Sequence, residues 1–265
     1  MRSVWDGAPP VPNARYLICN HRGRSFATTL HRCGNSSVTA SICVINAKGG
    51  CGKTTISTHL AAALSSSGLD TSLADWDRHR GATHWLSLRP KSSAKIRLAD
   101  WRKSFGAIPK KTQRLVIDCP ASLKSQRVRE VAATADVLIV PILPSVFDEY
   151  ATKVFLTDLD KIKKIRKGQK KVLVVANRFK ANTIAGRRLS QYLEDLDFPA
   201  NHYISERSIY PQLAARGLSA FDLHTKPMAE RQMEWMGLIG DIEDVIRNSK
   251  GRSKYPKNPK NVKKK

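Results

Sequence analysis

Apolar residues in this chain gather in short continuous runs, separated by longer stretches in which apolar positions recur at helical spacing. The runs predict strands at about 42–45, 73–75, 114–118, 135–141, 171–176 and 201–205. The spaced stretches predict helices at about 56–64, 121–134, 146–167, 183–196 and 227–247. Continuous runs are typical of strands buried on both faces of a parallel sheet, and their alternation with helices is typical of βαβ units. We therefore predict an α/β fold with a doubly wound, mostly parallel sheet flanked by helices.

Length and pattern predict one domain with two appendages. The chain has 265 residues, of which 41% are hydrophobic, and can therefore bury a large core. The alternating pattern covers 41–249, whereas 1–40 is expected to be a poorly ordered basic extension and 250–265 a disordered Lys-rich tail. An Arg-rich, acid-poor beginning can also belong to an organellar transit peptide, and a true start near Val38 is a further alternative.

A glycine-rich loop stands between the first predicted strand and the first predicted helix. Its residues are Lys48, Gly49, Gly50, Cys51, Gly52, Lys53, Thr54 and Thr55. The glycines lack the Cβ atoms that would stop backbone N–H groups from pointing into one concavity, and such groups at a helix N-terminus hold phosphate oxygens. Lys53 is placed to reach the β and γ phosphates, and Thr54 to ligate Mg²⁺. Lys48 cannot point into its own loop as Lys53 does, so it is a surplus lysine.

The tight pattern KGGxGKTT resembles the deviant Walker A box of the ParA/MinD family of P-loop ATPases. Further segments within 41–245 are also similar to that family. Asp75 and Asp77 end a strand in a way that resembles its Walker A′ segment, and Asp118 closes a strand like its Walker B aspartate. Where the family usually has Gln two residues after the second aspartate, this chain has His79. We assign His79 no catalytic role.

The resemblance implies a switch that binds ATP and Mg²⁺ and hydrolyses ATP slowly by itself. Lys53 would bind the phosphates of its own subunit, while Thr54 would ligate Mg²⁺ directly and Asp118 through water. Asp77 would orient or activate the attacking water. Two subunits would close over two nucleotides, and Lys48 would cross to the partner's phosphates.

Asn177 is a further candidate for nucleotide binding. It follows the predicted strand at 171–176, where the family has a residue that contacts adenine. An ordinary loop asparagine is the alternative interpretation.

The charge of the chain favours a polyanionic partner. The sequence has 46 Lys and Arg against 22 Asp and Glu, a net charge of +24, of which 1–40 contributes +4 and 250–265 contributes +8. A basic surface attracts nucleic acid with steep salt dependence, but charge alone leaves an anionic membrane or an acidic protein open. The tail has only Tyr255 and Val262 as apolar residues and thus lacks the apolar face of a membrane-binding helix. The tail argues against such a helix, and the resemblance implies DNA as the partner, because the family binds DNA without sequence preference. It also implies a cytoplasmic, nucleoid-associated location.

Three groups of basic residues are candidates for DNA contact. They are a cluster at 161–171, the pair Arg187 and Arg188, and the set Arg207, Lys226 and Arg231. The resemblance favours the third group, because the segment before Lys226 is similar to a short turn where the family contacts DNA. No aromatic residues are interleaved for base stacking, so nonspecific phosphate contacts should dominate.

The five cysteines are irregularly spaced, and we predict that they are reduced thiols. They are Cys19, Cys33, Cys43, Cys51 and Cys119. No CxxC pair occurs among them, which argues against the iron–sulfur-carrying relatives that share this nucleotide loop.

The favoured hypothesis is a ParA-like ATPase that partitions or positions a cargo and is stimulated by a ParB-like or cargo-adaptor protein. The cargo is left open among a plasmid, a chromosome and a protein assembly. One alternative is a P-loop enzyme, kinase-like or ligase-like, that acts on a small molecule or a tyrosine, although the sequence offers no second constellation for such a substrate. The other is a membrane-associated MinD-like switch. No apolar segment is long enough for integral membrane association to be expected.

Overall fold

The computed structural model describes residues 39–249 except 102–105, 122, 124 and 197–201. Most of the predicted N-terminal extension and the whole predicted tail lie outside the described residues, as do Cys19 and Cys33. Within the described part, one sheet lies between two layers of helices.

Seven strands of the described chain form this sheet, and each neighbouring pair is parallel. They are β1 Ala40–Val44, β2 Thr71–Asp75, β3 Ile96–Asp100, β4 Arg114–Asp118, β5 Val137–Ile142, β6 Lys171–Phe179 and β7 His202–Ser205. Their order is β3-β2-β4-β1-β5-β6-β7. Central β1 pairs with β4 on one side and β5 on the other. The winding direction changes at this point, and α/β folds bind ligands in the crevice beyond the carboxyl ends of such strands.

The helices pack in two layers. They are α1 Lys53–Ser66, α2 Gly81–Leu88, α3 Ser125–Thr134, α4 Val146–Asp160, α5 Lys163–Arg166, α6 Ile184–Glu194, α7 Ile209–Ala214 and α8 Lys226–Asn248. One core contains side chains of α1, α2, α7 and α8, including the fully buried Trp235. The other contains side chains of α3, α4, α5 and α6. The doubly wound α/β prediction is confirmed.

Helix ends agree with the sequence at one place and differ at another. Gly68 has φ 90°, and its N–H bonds to the carbonyl of Ser65 at 3.0 Å, so a C-terminal glycine ends α1 as predicted. The single helix predicted at 146–167 is wrong, because α4 ends at Asp160 and the short α5 follows. Ile162, between them, has an extended backbone and packs against the core. The helix predicted at 121–134 begins only at Ser125.

Two buried ion pairs fix the C-terminal part of the chain to the sheet and to α2. Arg114 of β4 holds Glu243 of α8 by two bonds, of 2.6 and 2.7 Å. Arg89, just after α2, holds Asp222 in the turn before α8 by bonds of 2.6 and 2.9 Å. Burial acts to raise the pKa of Asp222, but the bonds from Arg89 and Ser219 hold that pKa below its ordinary value. The C-terminal helix α8 is thereby fixed on the same face of the sheet as α1.

Candidate functional site

The glycine-rich loop leaves β1 at the crevice and turns into α1. Gly50 and Gly52 have φ of 77° and 94°, in the left-handed region that favours glycine. A Cβ at Gly52 would also lie only 2.0 Å from Nδ2 of Asn177. Asn177 is buried within β6 and donates from Nδ2 to the carbonyl of Cys51 at 2.9 Å. This bond fixes the loop to β6. The contact of Asn177 with adenine stays a prediction.

The lysine at the start of α1 closes the loop on itself. Lys53 is buried, and its Nζ donates to the carbonyl of Lys48 at 2.8 Å. This bond holds an ammonium group beside the loop N–H groups, where phosphates bind in such loops. Cys51 is buried in the same loop, and burial raises the pKa of its thiol. Cys43, Cys51 and Cys119 are free thiols, as the sequence predicts.

The surplus lysine is held through its backbone. The N–H of Lys48 donates to Oδ1 of Asn46 at 3.1 Å. The buried Asn46 in turn donates to the carbonyl of Pro141 at 2.8 Å and to Oγ1 of Thr152 in α4 at 3.0 Å. Lys48 is half-buried and its backbone is thus tied to β5 and α4.

Asp118 ends β4 beside the loop and is fully buried. It accepts from Oγ1 of Thr54 at 2.8 Å and from Oγ of Ser57 at 3.1 Å. Burial raises its pKa to about 7, and the neighbouring Asp75 and Asp77 act in the same direction. The sequence did not identify Ser57, because only the fold brings it to Asp118.

The oxygen atoms of Thr54 and Asp118 fit a Mg²⁺ ion whose other ligands are phosphate and water. Mg²⁺ takes oxygen ligands and keeps several waters, so one or two protein groups are enough beside a nucleotide. Among the described residues no group of three or more His, Cys, Asp or Glu could hold a metal ion by itself. A cation would also stabilise the charged form of Asp118, which burial disfavours.

The two aspartates after β2 have different surroundings. Asp75 is buried and accepts at Oδ2 from N and Oγ1 of Thr83, both at 2.7 Å, so it caps the N-terminus of α2. Asp77 is half-buried, and its Oδ1 accepts from the N–H of His79 at 2.9 Å. His79 is exposed, and its ring accepts from Arg78 at 3.2 Å. Asp77 is therefore the more available carboxylate, whereas Asp75 is engaged in structure.

Comparison with known proteins identifies the family. Residues 42–220 match the model of the CobQ/CobB/MinD/ParA nucleotide binding domain. The chain belongs to this family. Maintenance of carboxysome distribution protein A of Halothiobacillus neapolitanus is 27% identical over 198 residues, which cover 69% of this chain and 87% of that protein.

Solved structures of MinD/ParA-type proteins share the fold. An ATP complex of a Cyanothece McdA variant superposes with a TM-score of 0.58 at 15% identity, covering 80% of this chain and 98% of that one. MinD of Pyrococcus horikoshii with Mg-ADP gives a TM-score of 0.55 at 18% identity, covering 81% and 100%.

The favoured DNA-binding candidates of this MinD/ParA-type domain lie beyond β7 and at the start of α8. Arg207 and Arg231 both bond to Oε1 of Glu234, at 3.2 and 3.0 Å, so that one carboxylate partly neutralises two guanidinium groups. Lys226 is exposed at the first position of α8. No helix within the described ranges is long and apolar enough to cross a membrane.

Proposed function

We propose that this chain is a ParA-like ATPase that dimerises on ATP, binds DNA nonspecifically and positions an intracellular cargo. The observation that carries the proposal is the pair of lysines in one phosphate loop. Lys53 Nζ lies on the Lys48 carbonyl inside the loop. In this proposal Lys53 binds the phosphates of its own subunit and Lys48 binds those of the other subunit. The Halothiobacillus relative is named for the maintenance of carboxysome distribution, which supports a positioning role.

The residues of the loop account for nucleotide binding and slow hydrolysis. In this proposal Lys53 exchanges the Lys48 carbonyl for phosphate oxygens, and the backbone from Gly49 to Thr55 surrounds them. Thr54 and Asp118 hold Mg²⁺, which supplies positive charge to the phosphates when bound. Asp77 orients the attacking water. Because only charge placement and water orientation assist the reaction, the isolated protein is slow.

The basic surface accounts for DNA binding. We assign residues 41–249 to the ATPase domain, with 1–40 and 250–265 as basic extensions that attract DNA in any nucleotide state. Arg207 follows β7 and so lies at the carboxyl edge of the sheet, where the phosphate loop also lies. With Lys226 and Arg231 it forms a surface that a dimer presents twice. A ParB-like or cargo-adaptor protein then accelerates hydrolysis on the nucleoid, and the dimer is released.

The test is DNA binding in different nucleotide states. Anisotropy titrations with several unrelated fluorescent duplexes are run with ATP and Mg²⁺, with ADP and without nucleotide. We expect similar affinities across sequences and a clear increase with ATP. Lys53→Ala is the control, since it should remove the ATP effect without removing basic surface charge outside the loop. Equal affinity in all three states rejects DNA-based positioning.

A further inference from the structure

A cavity of about 710 Å³ lies among helices α3, α4 and α5, on the face of the sheet that these helices cover. We call it the α3–α4 cavity. Its apolar lining includes Ile45, Leu123, Val128, Phe155 and Ile162. Small-molecule sites are typically cavities of roughly 300–1,000 Å³ that combine apolar walls with a few polar groups. The size and the walls of this cavity therefore fit an organic molecule.

The charged side chains along the α3–α4 cavity are mainly basic. They are Arg129, Lys161, Lys163 and Lys164, against one acid, Asp158. Asp158 is already paired with Lys161 at 2.7 Å. The side chains of Arg129 and Lys163 are exposed and form no ion pair or hydrogen bond with any other described residue. Two cations without an acidic partner beside apolar walls favour a ligand that carries negative charge.

The lysines and the nucleotide loop lie toward opposite ends of the cavity. Helix α3 runs from the carboxyl edge of the sheet, where β4 ends, to the amino edge, where β5 begins. Lys164 donates to the carbonyl of Ala133 at 3.5 Å, near the end of α3, whereas Asn46 and Pro120 line the cavity just beyond β1 and β4. Ser125 and Ala133 both line it and are about 12 Å apart along the helix axis. An extended apolar body with one anionic end fits this length.

The end of the cavity at the carboxyl edge contacts the segments that enter and leave the nucleotide site. Asn46 lines the cavity, and its Oδ1 accepts from the N–H of Lys48 at 3.1 Å. Pro120 follows closely after Asp118, which accepts from Thr54. A molecule packed against Asn46 and Pro120 favours one arrangement of both segments. Such a molecule changes nucleotide affinity, and by linkage the nucleotide changes the affinity of that molecule by the same factor.

We propose that the α3–α4 cavity is an effector site for a small organic anion with an extended apolar body, such as a medium-chain carboxylate. The anionic group binds Arg129 and Lys163, and the body lies along the apolar walls toward Asn46. The anionic group is thus remote from the phosphate loop, so the ligand is an effector and not a phosphoryl acceptor. The segments 1–38 and 250–265 are both basic, and the same cations repel them.

This inference goes beyond the proposed function and needs only that the loop binds nucleotide. It also assigns a ligand to part of the basic cluster at 161–171, which the proposed DNA surface at Arg207, Lys226 and Arg231 does not use.

The first test separates the two parts of the ligand. Titration calorimetry is run with octanoate, which has both the apolar body and the charge, with octan-1-ol, which has only the body, and with acetate, which has only the charge. We expect octanoate to bind at one site. Octan-1-ol and acetate should each bind about tenfold or more weaker, because each lacks one of the two contributions.

Two double variants of equal net charge locate the site. Arg129→Gln with Lys163→Gln removes two cations of the cavity. Arg127→Gln with Lys167→Gln removes two exposed cations that do not line it within the described part of the chain. The affinity for octanoate should fall about tenfold or more in the first protein and stay close to the parent's in the second. Ala133→Phe, which occupies space in the cavity, should also weaken binding, and circular dichroism reports the fold of each variant.

A fluorescent ATP analogue reports the link to the nucleotide loop. Its dissociation constant is measured with Mg²⁺, with and without saturating octanoate. We expect octanoate to change this constant by about fivefold or more in the parent and to have no effect in the Arg129→Gln, Lys163→Gln protein. Without octanoate, that protein should bind the analogue like the parent.

The outcomes separate this inference from the proposed function. Absent octanoate binding, or equal losses in the two double variants, overturns the inference and leaves ATP-dependent DNA binding untouched. Octanoate binding that leaves nucleotide affinity unchanged overturns the effector role. If octanoate does not bind, but cosedimentation with phosphatidylglycerol vesicles depends on Arg129 and Lys163, these cations belong to a membrane-binding surface and the inference is wrong. Coupled octanoate binding in a protein whose DNA affinity ignores nucleotide supports the inference and rejects DNA-based positioning.

Discussion

The two lysines of the phosphate loop occupy different environments. Lys53 is buried, with its ammonium on the carbonyl of Lys48, while the backbone of Lys48 is tied to Asn46. We predict that Lys53→Ala loses nucleotide affinity, because no other ammonium of the loop is bonded in this position. Lys48→Ala should keep that affinity and lose ATP-dependent dimerisation. Titration with a fluorescent nucleotide and light scattering measure the two effects, and a dimerising Lys48→Ala protein contradicts the role across the interface.

The aspartates after β2 allow a matched pair of variants. Asp77→Ala should reduce ATP turnover by roughly 10²-fold, the usual contribution of a positioned acid–base group, while thermal stability is retained. Asp75→Ala should instead destabilise the protein by about 1–2 kcal/mol, because it leaves the α2 N-terminus and Thr83 without their cap. Steady-state hydrolysis and urea unfolding distinguish the two. Parental turnover in Asp77→Ala would assign the water-orienting role to another group.

Local sequence identifies some members of the site and misses others. The loop from Lys48 to Thr55 is recognisable because its residues are contiguous and each has a local task. Ser57 has no such signal, since it bonds to Asp118, which is 61 positions away. Asn177 was predicted for a nucleotide contact, and its bond to the Cys51 carbonyl depends on the packing of β6 under the loop.

At the scale of elements, continuous apolar strands were predictable and less regular elements were not. The edge strand β3 has a charged residue, Arg97, and a partly exposed Leu98, so it lacks an apolar run. Helix α2 begins after Arg80 without a local side-chain cap, and its cap comes from Asp75 in β2. The extended backbone at Ile162 likewise divided a helix whose sequence pattern is continuous. In each case a tertiary contact decided the local structure.

A buried histidine of α1 packs against aromatic residues of α7 and α8. His59 in α1 is buried, and its Nδ1 bonds to the carbonyl of Thr55 at 2.9 Å. Its ring stacks on Trp235 of α8 with ring centroids 4.8 Å apart. It also contacts Tyr210 of α7 edge-on, with centroids 5.1 Å apart. Burial lowers its pKa from 6.5 to about 4, although the Thr55 carbonyl and the nearby Asp222 act to raise it. The folded protein therefore resists protonation of this ring.

Because of His59, the free energy of unfolding should fall as the pH is lowered. Between pH 6.5 and 4 the unfolded chain takes up a proton at this histidine and the folded chain does not, so stability falls as the pH falls through this window. The loss should reach about 3 kcal/mol near pH 4. Urea unfolding at pH 7 and pH 4.5 measures it, with His59→Phe as the comparison. An equal loss in both proteins would show that other groups cause the acid sensitivity.

At the scale of the whole molecule, charge is divided between the folded domain and its appendages. Residues 250–265 carry eight Lys or Arg and no acid. Deleting them should weaken DNA binding and flatten its salt dependence in every nucleotide state, since a basic segment attracts phosphates whatever the nucleotide. Anisotropy titrations at several salt concentrations measure the slope. A change confined to the ATP state would mean that the segment takes part in the switch.

The folded surface should respond differently. Lys226→Ala is expected to reduce DNA affinity mainly with ATP, and more than Arg207→Ala does, because Glu234 already partly neutralises Arg207. The same titrations compare the two variants with ATP, with ADP and without nucleotide. Equal losses in all states would remove these residues from nucleotide control.

The strand order has a consequence for synthesis on the ribosome. Among the described strands the central β1 is made first, but its neighbours begin at Arg114 and Val137, which pair with Ala40 and Ile42 across 74 and 95 positions of chain. At about 5–20 residues per second, this strand waits several seconds for either partner. During that time Ile42, Cys43 and Val44, which are fully buried in the finished sheet, lack both flanking strands. We therefore expect β1 to be a binding site for chaperones while the chain is being made.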